Sequence, residues 1–397
     1  MNLKTIDDMG DITGRRVIVR ADLNVPMRDG KITDATRIIR FAPTAKELSA
    51  RGAKVIIMTH LGRPKGVTPE FTTESLADTL VEALNTPVTF VPDCIGDIVK
   101  TAVKTMQNGD TILLENVRFY PEEEENDLAF AEQLAENGDF FVNDAFSAAH
   151  RAHASTEGIT RFLNAFAGLL MQEELDALSK SVNNPTHPCV AIVAGSKVST
   201  KIKVLEHIAK QFDTMIIGGA MANTFLLAQG KNIGKSIAEP EMQDTARRIM
   251  DSAEEISCEI ILPVDTLAAT TLAPDVEVRE IGLDDMYSDE MILDVGHQSV
   301  DVFKNAIANA RTVLMNGPVG AFEVKPFDTA TNAIVEYIAD LTKAGRLISV
   351  AGGGDTVSAI NNVGRGADFT YVSTAGGAFL EYLEGKTLPA IVPLEKK

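Results

Sequence analysis

At 397 residues the chain is past the length at which a single hydrophobic core stops growing, so two domains are expected. Its 45% apolar and 23% charged residues exclude wholesale disorder. Lys+Arg is 37 against Asp+Glu 56, a net charge of −19 that repels nucleic acid and anionic membrane and leaves a small anionic ligand in a locally basic cleft as the partner to look for.

The opening MNLKTIDDMGD has no apolar h-region and turns acidic, so a secretory leader is not expected. No apolar run approaches the roughly 18 residues that span a bilayer. The reading is a cytoplasmic protein. Short β-branched runs occur at Arg16–Ala21, Lys54–Thr59, Val88–Val91, Thr111–Glu115 and Asp139–Val142, with helical patterns near 34–50, 73–85, 96–107 and 123–137. The acidic PEEEEND run at 121–127 reads as carboxylates in the first turn of that last helix, where they complement its dipole. The second half repeats the alternation, with strands at Cys189–Val193, Met215–Ile217, Ile260–Leu262, Val313–Met315, Leu347–Val350 and Thr370–Val372.

This spacing predicts an α/β fold of two doubly wound parallel-sheet, Rossmann-like domains. MQEELDALSKSV reads as a helix that NNPTHP breaks, which places the join near 165–188. The boundaries drawn are an N-terminal domain at 1–170, a hinge helix and linker at 171–187, a C-terminal domain at 188–378 and a returning segment at 379–397. Cys94, Cys189 and Cys258 are widely spaced and sit in or beside apolar segments, as buried free thiols do in a reducing compartment.

In open parallel sheets ligands bind beyond the carboxyl ends of the strands. In the first half these positions hold Asp22-Leu23-Asn24, His60-Leu61-Gly62-Arg63, Glu115-Asn116-Val117-Arg118 and Asn143-Asp144-Ala145-Phe146, with His150 to His153 a little further on. Ten of the 17 arginines lie in the first 160 residues, several of them in these loops. Arginine's planar fork matches carboxylate and phosphate oxygens, so this half reads as a pocket for a small, multiply anionic molecule. His150 and His153 read as an anion-contacting or hydrogen-bonded pair rather than metal ligands.

The second half ends its strands in glycine, and 18 of the 29 glycines lie after residue 185. Gly195-Ser196-Lys197, Gly218-Gly219, Gly317-Pro318-Val319-Gly320, Gly352-Gly353-Gly354-Asp355-Thr356 and Gly376-Gly377 let backbone N–H groups approach an anion. Lys197 and Lys201, four apart at a helix start, are expected to face one ligand. Asp355 can hold Mg²⁺ beside phosphates. Gly230 to Ser236 is not a P-loop, having three residues between its glycines and no strand before it, and no G-x-G-x-x-G occurs. An arginine pocket in one half and a phosphate cradle in the other suit phosphoryl transfer, which is mostly positioning and charge neutralisation. The residues alone reach a two-domain kinase acting on a small anionic acid. Another carboxylate kinase, a two-lobed solute-binding protein and a catalytically retired homologue remain as alternatives.

These motifs resemble those of the phosphoglycerate kinase family in order along nearly the whole chain. The resemblance rests on Arg20-Ala21-Asp22-Leu23-Asn24-Val25-Pro26, His60-Leu61-Gly62-Arg63-Pro64, Leu114 to Phe119 and Asn143 to His153. It continues with Gly195 to Lys201, Asn316 to Gly320 with Glu323, Gly352 to Thr356 and Leu380 to Pro389. It implies reversible transfer between 1,3-bisphosphoglycerate and ADP, giving 3-phosphoglycerate and ATP with Mg²⁺, in a hinge-closing monomer. Carried over by position, Asp22, Leu23, Asn24, Arg37, His60, Leu61, Gly62, Arg63, Arg118 and Arg151 would bind the phosphoglycerate. Lys201, Gly219, Gly296, Glu323, Gly353, Gly354, Asp355 and Thr356 would line the nucleotide site, with Asp355 toward the metal. Arg37 and Lys197, with backbone N–H groups at Gly376 and Gly377, would neutralise the phosphoryl group in transfer. The sequence departs from the family at Ala375 and Ala194, where glycines are usual, and at Thr200, where many members have aspartate.

Overall fold

The computed structural model describes residues 2–396. Among them, six strands form one wholly parallel sheet in the order Val88–Val91, Thr111–Leu114, Lys54–Met58, Arg16–Ala21, Phe140–Asp144, Ala165–Ala167. Val17, Ile18 and Val19 are all buried, as a sheet covered on both faces requires. The helices Thr36–Ala50, Ala77–Leu84, Gly96–Thr105 and Leu128–Ala135 connect these strands. Phe41 and Leu48 of the first of them, with Leu80 and Leu84 of the second, join Val17, Val19, Val55 and Ile57 in one apolar cluster.

A second parallel sheet runs Glu259–Ile261, Thr214–Gly218, Cys189–Ala194, Thr312–Asn316, Ile348–Gly352, Tyr371–Ser373. The fold is the expected one of two parallel-sheet α/β domains. Not anticipated were the antiparallel sheet of Arg279–Gly282, Asp265–Ala269 and Met291–Val295, the small hairpin of Met27–Arg28 with Lys31–Ile32, and the strand Ala165–Ala167.

Contacts divide the chain into two compact units. One runs to Asp176 and takes in the chain again from Thr387; the other is Ala177–Lys386. The helix Leu169–Leu178 contains the first division, so the residues of the expected linker from Ala177 onward belong with the second unit. The returning segment begins at Thr387 rather than at 379. Helix Gly377–Leu383 stays with the second unit, where Asn183 Nδ2 donates to the Tyr382 hydroxyl at 2.7 Å. Gly385 (φ 73°) then turns against His207, so closely that a Cβ would meet Nδ1 at 2.5 Å. Beyond it Leu388, Ala390, Ile391 and Leu394 are buried, and the Lys4 N–H donates to the Leu394 carbonyl at 2.7 Å.

The acidic run departs from expectation. The helix begins at Leu128, capped by Asp127 accepting from the Phe130 N–H at 2.8 Å, while Pro121–Glu123 is a separate short turn. Glu123 is fully buried and accepts from the Ser155 N–H at 2.8 Å and its hydroxyl at 2.6 Å. It is a buried counter-charge rather than a partner of the helix dipole.

Candidate functional sites in the two units

In the first unit the chain order reverses beside the strand Arg16–Ala21, with the strands visited earlier on one side and Phe140–Asp144 on the other. That is where an open sheet forms a crevice. The residues just past these strands meet there. Asp22 Oδ2 accepts from Arg37 Nη1 at 2.5 Å and from the Ser147 hydroxyl, and its Oδ1 accepts from the Asn24 N–H at 3.2 Å. Asn24 Oδ1 accepts from the Gly62 N–H at 2.8 Å, which leaves Nδ2 as the donor end of its amide. Leu23 is buried and its N–H donates to Thr59 Oγ1 at 3.1 Å. Leu61 is likewise buried, its N–H donating to Asn116 Oδ1 at 3.3 Å. These two position the loops and offer an anion no side-chain donor.

His60 sits at the centre. Burial first, then the charges of Arg20, Arg118, Arg151 and Arg37, hold its pKa well below the ordinary imidazole value. The ring is therefore neutral and lies in the field of four arginines, with Arg20 Nη2 3.0 Å from its Nδ1. Arg118 is mostly buried; its Nη1 donates to the Gly62 carbonyl at 2.9 Å and its Nε is buried without a hydrogen-bond partner among the described residues. Arg63 is exposed and is not among the charges acting on His60. Arg20, part of the first motif but assigned no role by the resemblance, is fully buried; it donates from Nε to Ser155 Oγ at 2.8 Å and from Nη1 to the Ala21 carbonyl at 2.5 Å. Burial alone would raise the Glu123 carboxyl, but His153, Arg20 and Ser155 outweigh it and leave it below its usual range. The sequence hid this Glu123–Ser155–Arg20 chain because its members are more than 30 residues apart.

In the second unit the reversal lies between Cys189–Ala194 and Thr312–Asn316, and Lys201 bridges it. Lys201 Nζ donates to the Ala194 carbonyl at 2.5 Å, the Asn316 carbonyl at 3.1 Å and Asn316 Oδ1 at 2.8 Å. Burial lowers its pKa to about 8, with Asp355 opposing. The helix here starts at Ile202 with Lys201 as its cap, so Lys197 lies in the preceding loop. The expectation that the two lysines share a helix face fails for that reason. Lys197 is exposed, and its loop is fastened by Ser199 donating to Glu239 from N–H at 3.0 Å and from the hydroxyl at 2.5 Å.

A cleft of about 420 Å³ opens at this edge, lined by Gly195, Ser196, Gly219, Glu323 and Asp355 together with an apolar wall. Gly219 (φ 65°) must be glycine, since a Cβ would meet the Gly195 carbonyl at 2.8 Å. Ile237, Leu272, Met291, Ile292, Pro318 and Phe322 belong to the wall; of these only Pro318 stands in an expected loop, and Met291 and Ile292 went unforeseen because their strand, Met291–Val295, comes from the unanticipated antiparallel sheet. Gly296 follows Val295 of that wall but packs on Asp265, whose carboxylate caps the helix His297–Ala308 by accepting from the N–H groups of Gln298 at 2.9 Å and Ser299 at 2.8 Å.

Thr356 is buried, and its hydroxyl accepts from the Gly317 N–H at 2.8 Å. Gly353 (φ 101°) and Gly354 open the helix Gly354–Val363, and Asp355 stands exposed in its first turn with no hydrogen bond to its carboxylate among the described residues. Such a free hard-oxygen donor at the lining of this cleft fits a nucleotide-bound Mg²⁺. Gly376 (φ 55°) and Gly377 open the helix Gly377–Leu383. Ala375 does not have a positive φ, so its methyl adds no backbone strain. Thr200 donates its hydroxyl to the Lys197 carbonyl at 2.9 Å.

Similarity to known proteins agrees with this geometry. The family model described as phosphoglycerate kinase matches residues 6–386. The chain is 55% identical over 394 residues to the phosphoglycerate kinase of Mesorhizobium japonicum, covering 99% of each. The structure of phosphoglycerate kinase from Coxiella burnetii superposes with a TM-score of 0.92 at 41% identity, over 99% of this chain and 98% of that one. The one from Pyrococcus horikoshii gives 0.81 at 31% identity, with coverage of 99% and 98%. A basic crevice in one unit, a glycine-lined cleft bridged by a lysine in the other, and likeness over almost every residue have one reading: the chain belongs to the phosphoglycerate kinase family.

Proposed function

We propose that this chain catalyses its family's reaction, the reversible phosphoryl transfer of glycolysis between 1,3-bisphosphoglycerate and ADP, with 3-phosphoglycerate and ATP on the other side. The observation that carries the residue roles is the meeting of Asp22, Asn24, Gly62 and His60 just past the strand ends, with Arg37 on Asp22 and Arg20 on His60, inside the field of Arg118 and Arg151. Like charges gathered in a part-buried crevice repel one another, and a multiply anionic ligand relieves that repulsion. Arg118 and Arg151 are assigned to the phosphoglycerate phosphate, with Arg63 at the rim. His60, Asn24 and Asp22 are assigned to its hydroxyl and carboxyl groups.

On the second unit the adenine nucleotide occupies the glycine-lined cleft as its Mg²⁺ complex. Its base and ribose lie along the apolar wall and Glu323, and its phosphates run toward Lys201 and the loops at Gly219 and Gly353–Gly354. Asp355 would supply an oxygen to the ion. Bound with the nucleotide, Mg²⁺ would withdraw charge from the phosphate oxygens; Arg37 and Lys197, with the N–H groups at Gly376 and Gly377, are assigned to neutralising the phosphoryl group in transfer. Gly296 and Thr356 act by holding the walls in place.

A monomer is the form we assign, since each crevice is built within one unit of one chain; light scattering on the eluting peak tests it. A cytoplasmic location is supported by three buried free cysteines, and no helix among the described residues is long and apolar enough to cross a membrane. The activity is tested by incubating the protein with MgATP and 3-phosphoglycerate and trapping the acyl phosphate with hydroxylamine, with acetate and aspartate as control acceptors. Product that requires both substrates and 3-phosphoglycerate specifically is expected. Product with acetate or aspartate instead would reassign the acceptor.

A further inference from the structure

At the amino ends of the second sheet, on the edge opposite the nucleotide cleft, three potential metal ligands meet. Cys189 opens its strand, and Asp213 directly precedes Thr214, which pairs with Val190; the register therefore sets Asp213 beside Cys189. His187 reaches the same point from the preceding turn. Cys189 Sγ lies 3.5 Å from His187 Nδ1 and 3.4 Å from Asp213 Oδ2, and His187 Nδ1 lies 2.7 Å from Asp213 Oδ2.

These distances can be compared with a zinc tetrahedron. Bonds of about 2.0–2.1 Å to nitrogen or oxygen and about 2.3 Å to sulfur give sulfur–nitrogen and sulfur–oxygen edges of about 3.5 Å, and a nitrogen–oxygen edge of about 3.3 Å. Two edges are in place as they stand. The third needs the His187–Asp213 pair to open by about 0.6 Å to reach that tetrahedral edge, which is open to two side chains that are both about half exposed. The Cys189 N–H donates to Asp213 Oδ2 at 2.7 Å, an orienting contact of the kind that fixes a ligating carboxylate. Cys189 is buried, so the exposed histidine and aspartate form the mouth of the site.

We infer that Cys189, His187 and Asp213 form a binding site for a borderline-soft divalent cation of the zinc class, separate from the Mg²⁺ that travels with the nucleotide. The mixed sulfur, nitrogen and oxygen set disfavours Mg²⁺ and Ca²⁺, which take oxygen ligands. On binding, the thiol proton and the proton that His187 Nδ1 shares with Asp213 leave to solvent as the metal–sulfur and metal–nitrogen bonds form, the imidazole carries its one remaining proton on Nε2, and water takes the fourth position. The ion ties the start of one central strand to its neighbour, so it stabilises the second unit without touching the catalytic edge.

The test is titration of the full-length protein with Co²⁺, monitored by optical absorption. One equivalent should produce a thiolate-to-cobalt charge-transfer band, which Zn²⁺ displaces. The band should be lost in Cys189→Ser and in His187→Ala, the latter an exposed substitution that leaves the core intact. Zn²⁺ should raise Tm in the native protein and not in His187→Ala. Co²⁺ held only at carboxylates such as Asp355 or the Asp265, Glu280, His297 group would give no such band. No band, or one retained in either variant, would overturn the assignment.

Discussion

Arg20 Nη2 lies 3.0 Å from Nδ1 of His60. A guanidinium can only donate, so Nδ1 accepts and the neutral ring carries its proton on Nε2. That leaves an N–H, rather than a lone pair, for an anionic ligand. We expect nitrogen-15 NMR to show His60 as the Nε2–H tautomer and neutral throughout the ordinary histidine titration range. A His60 that protonates with a normal midpoint would mean that the arginines do not surround it.

Arg37 is held by Asp22 at 2.5 Å. If its charge acts on the phosphoryl group in transit, Arg37→Ala should lower kcat by about 10²–10³-fold, the scale of losing one transition-state donor, with little change in KM for ATP. Steady-state kinetics decide this. A change confined to KM would make Arg37 a ground-state ligand.

Lys201, with its pKa lowered to about 8 by burial, loses its charge as pH rises through that value. Nucleotide phosphates favour the charged form, so binding should take up a proton near pH 8 and weaken above it. Calorimetry in two buffers of different ionisation enthalpy reads the uptake directly, and Lys201→Met should abolish it. Equal proton uptake in that variant would place the titration elsewhere.

Two sheet-end aspartates bear on stability. Burial raises Asp294 to about 7 and Asp144 to about 6, both above their ordinary 3.8. A carboxyl raised on folding favours the folded state while protonated, and that contribution is lost as pH climbs from about 4 through the folded value. Asp294→Asn should therefore flatten the dependence of Tm on pH between about 5 and 8, by on the order of 2 kcal/mol across the window. The comparison of slopes holds even if the asparagine, with one acceptor for the N–H groups of Val295 and Ala330, shifts every Tm by a constant.

Much of this was legible because parallel strands are short apolar runs and because their carboxyl ends collect functional residues. Arg16–Ala21 and Val88–Val91 were bounded to the residue, and the loops at Asp22, His60, Gly219 and Asp355 stood out because each lies just past the carboxyl end of a strand. The antiparallel sheet at Asp265–Val295 was not legible, since its strands interrupt the βα rhythm that made the others visible. Glu123 was misjudged because a carboxylate in an acidic run looks solvated until the fold brings Ser155 and Arg20 to it. Lys197 and Lys201 were placed on one helix because spacing alone does not show where the first helical turn begins.

The central claim is that the acid binds to the first unit and the nucleotide to the second. Calorimetric titration of native protein, Arg118→Ala and Lys201→Met with 3-phosphoglycerate and with MgADP tests it most directly. Losing a charge-assisted hydrogen bond costs about 1.5–3 kcal/mol, or roughly 10–150-fold in affinity. We predict that Arg118→Ala loses that much for 3-phosphoglycerate and keeps MgADP, while Lys201→Met does the reverse. Equal losses for both ligands in either variant, or losses with the ligands exchanged, would contradict it.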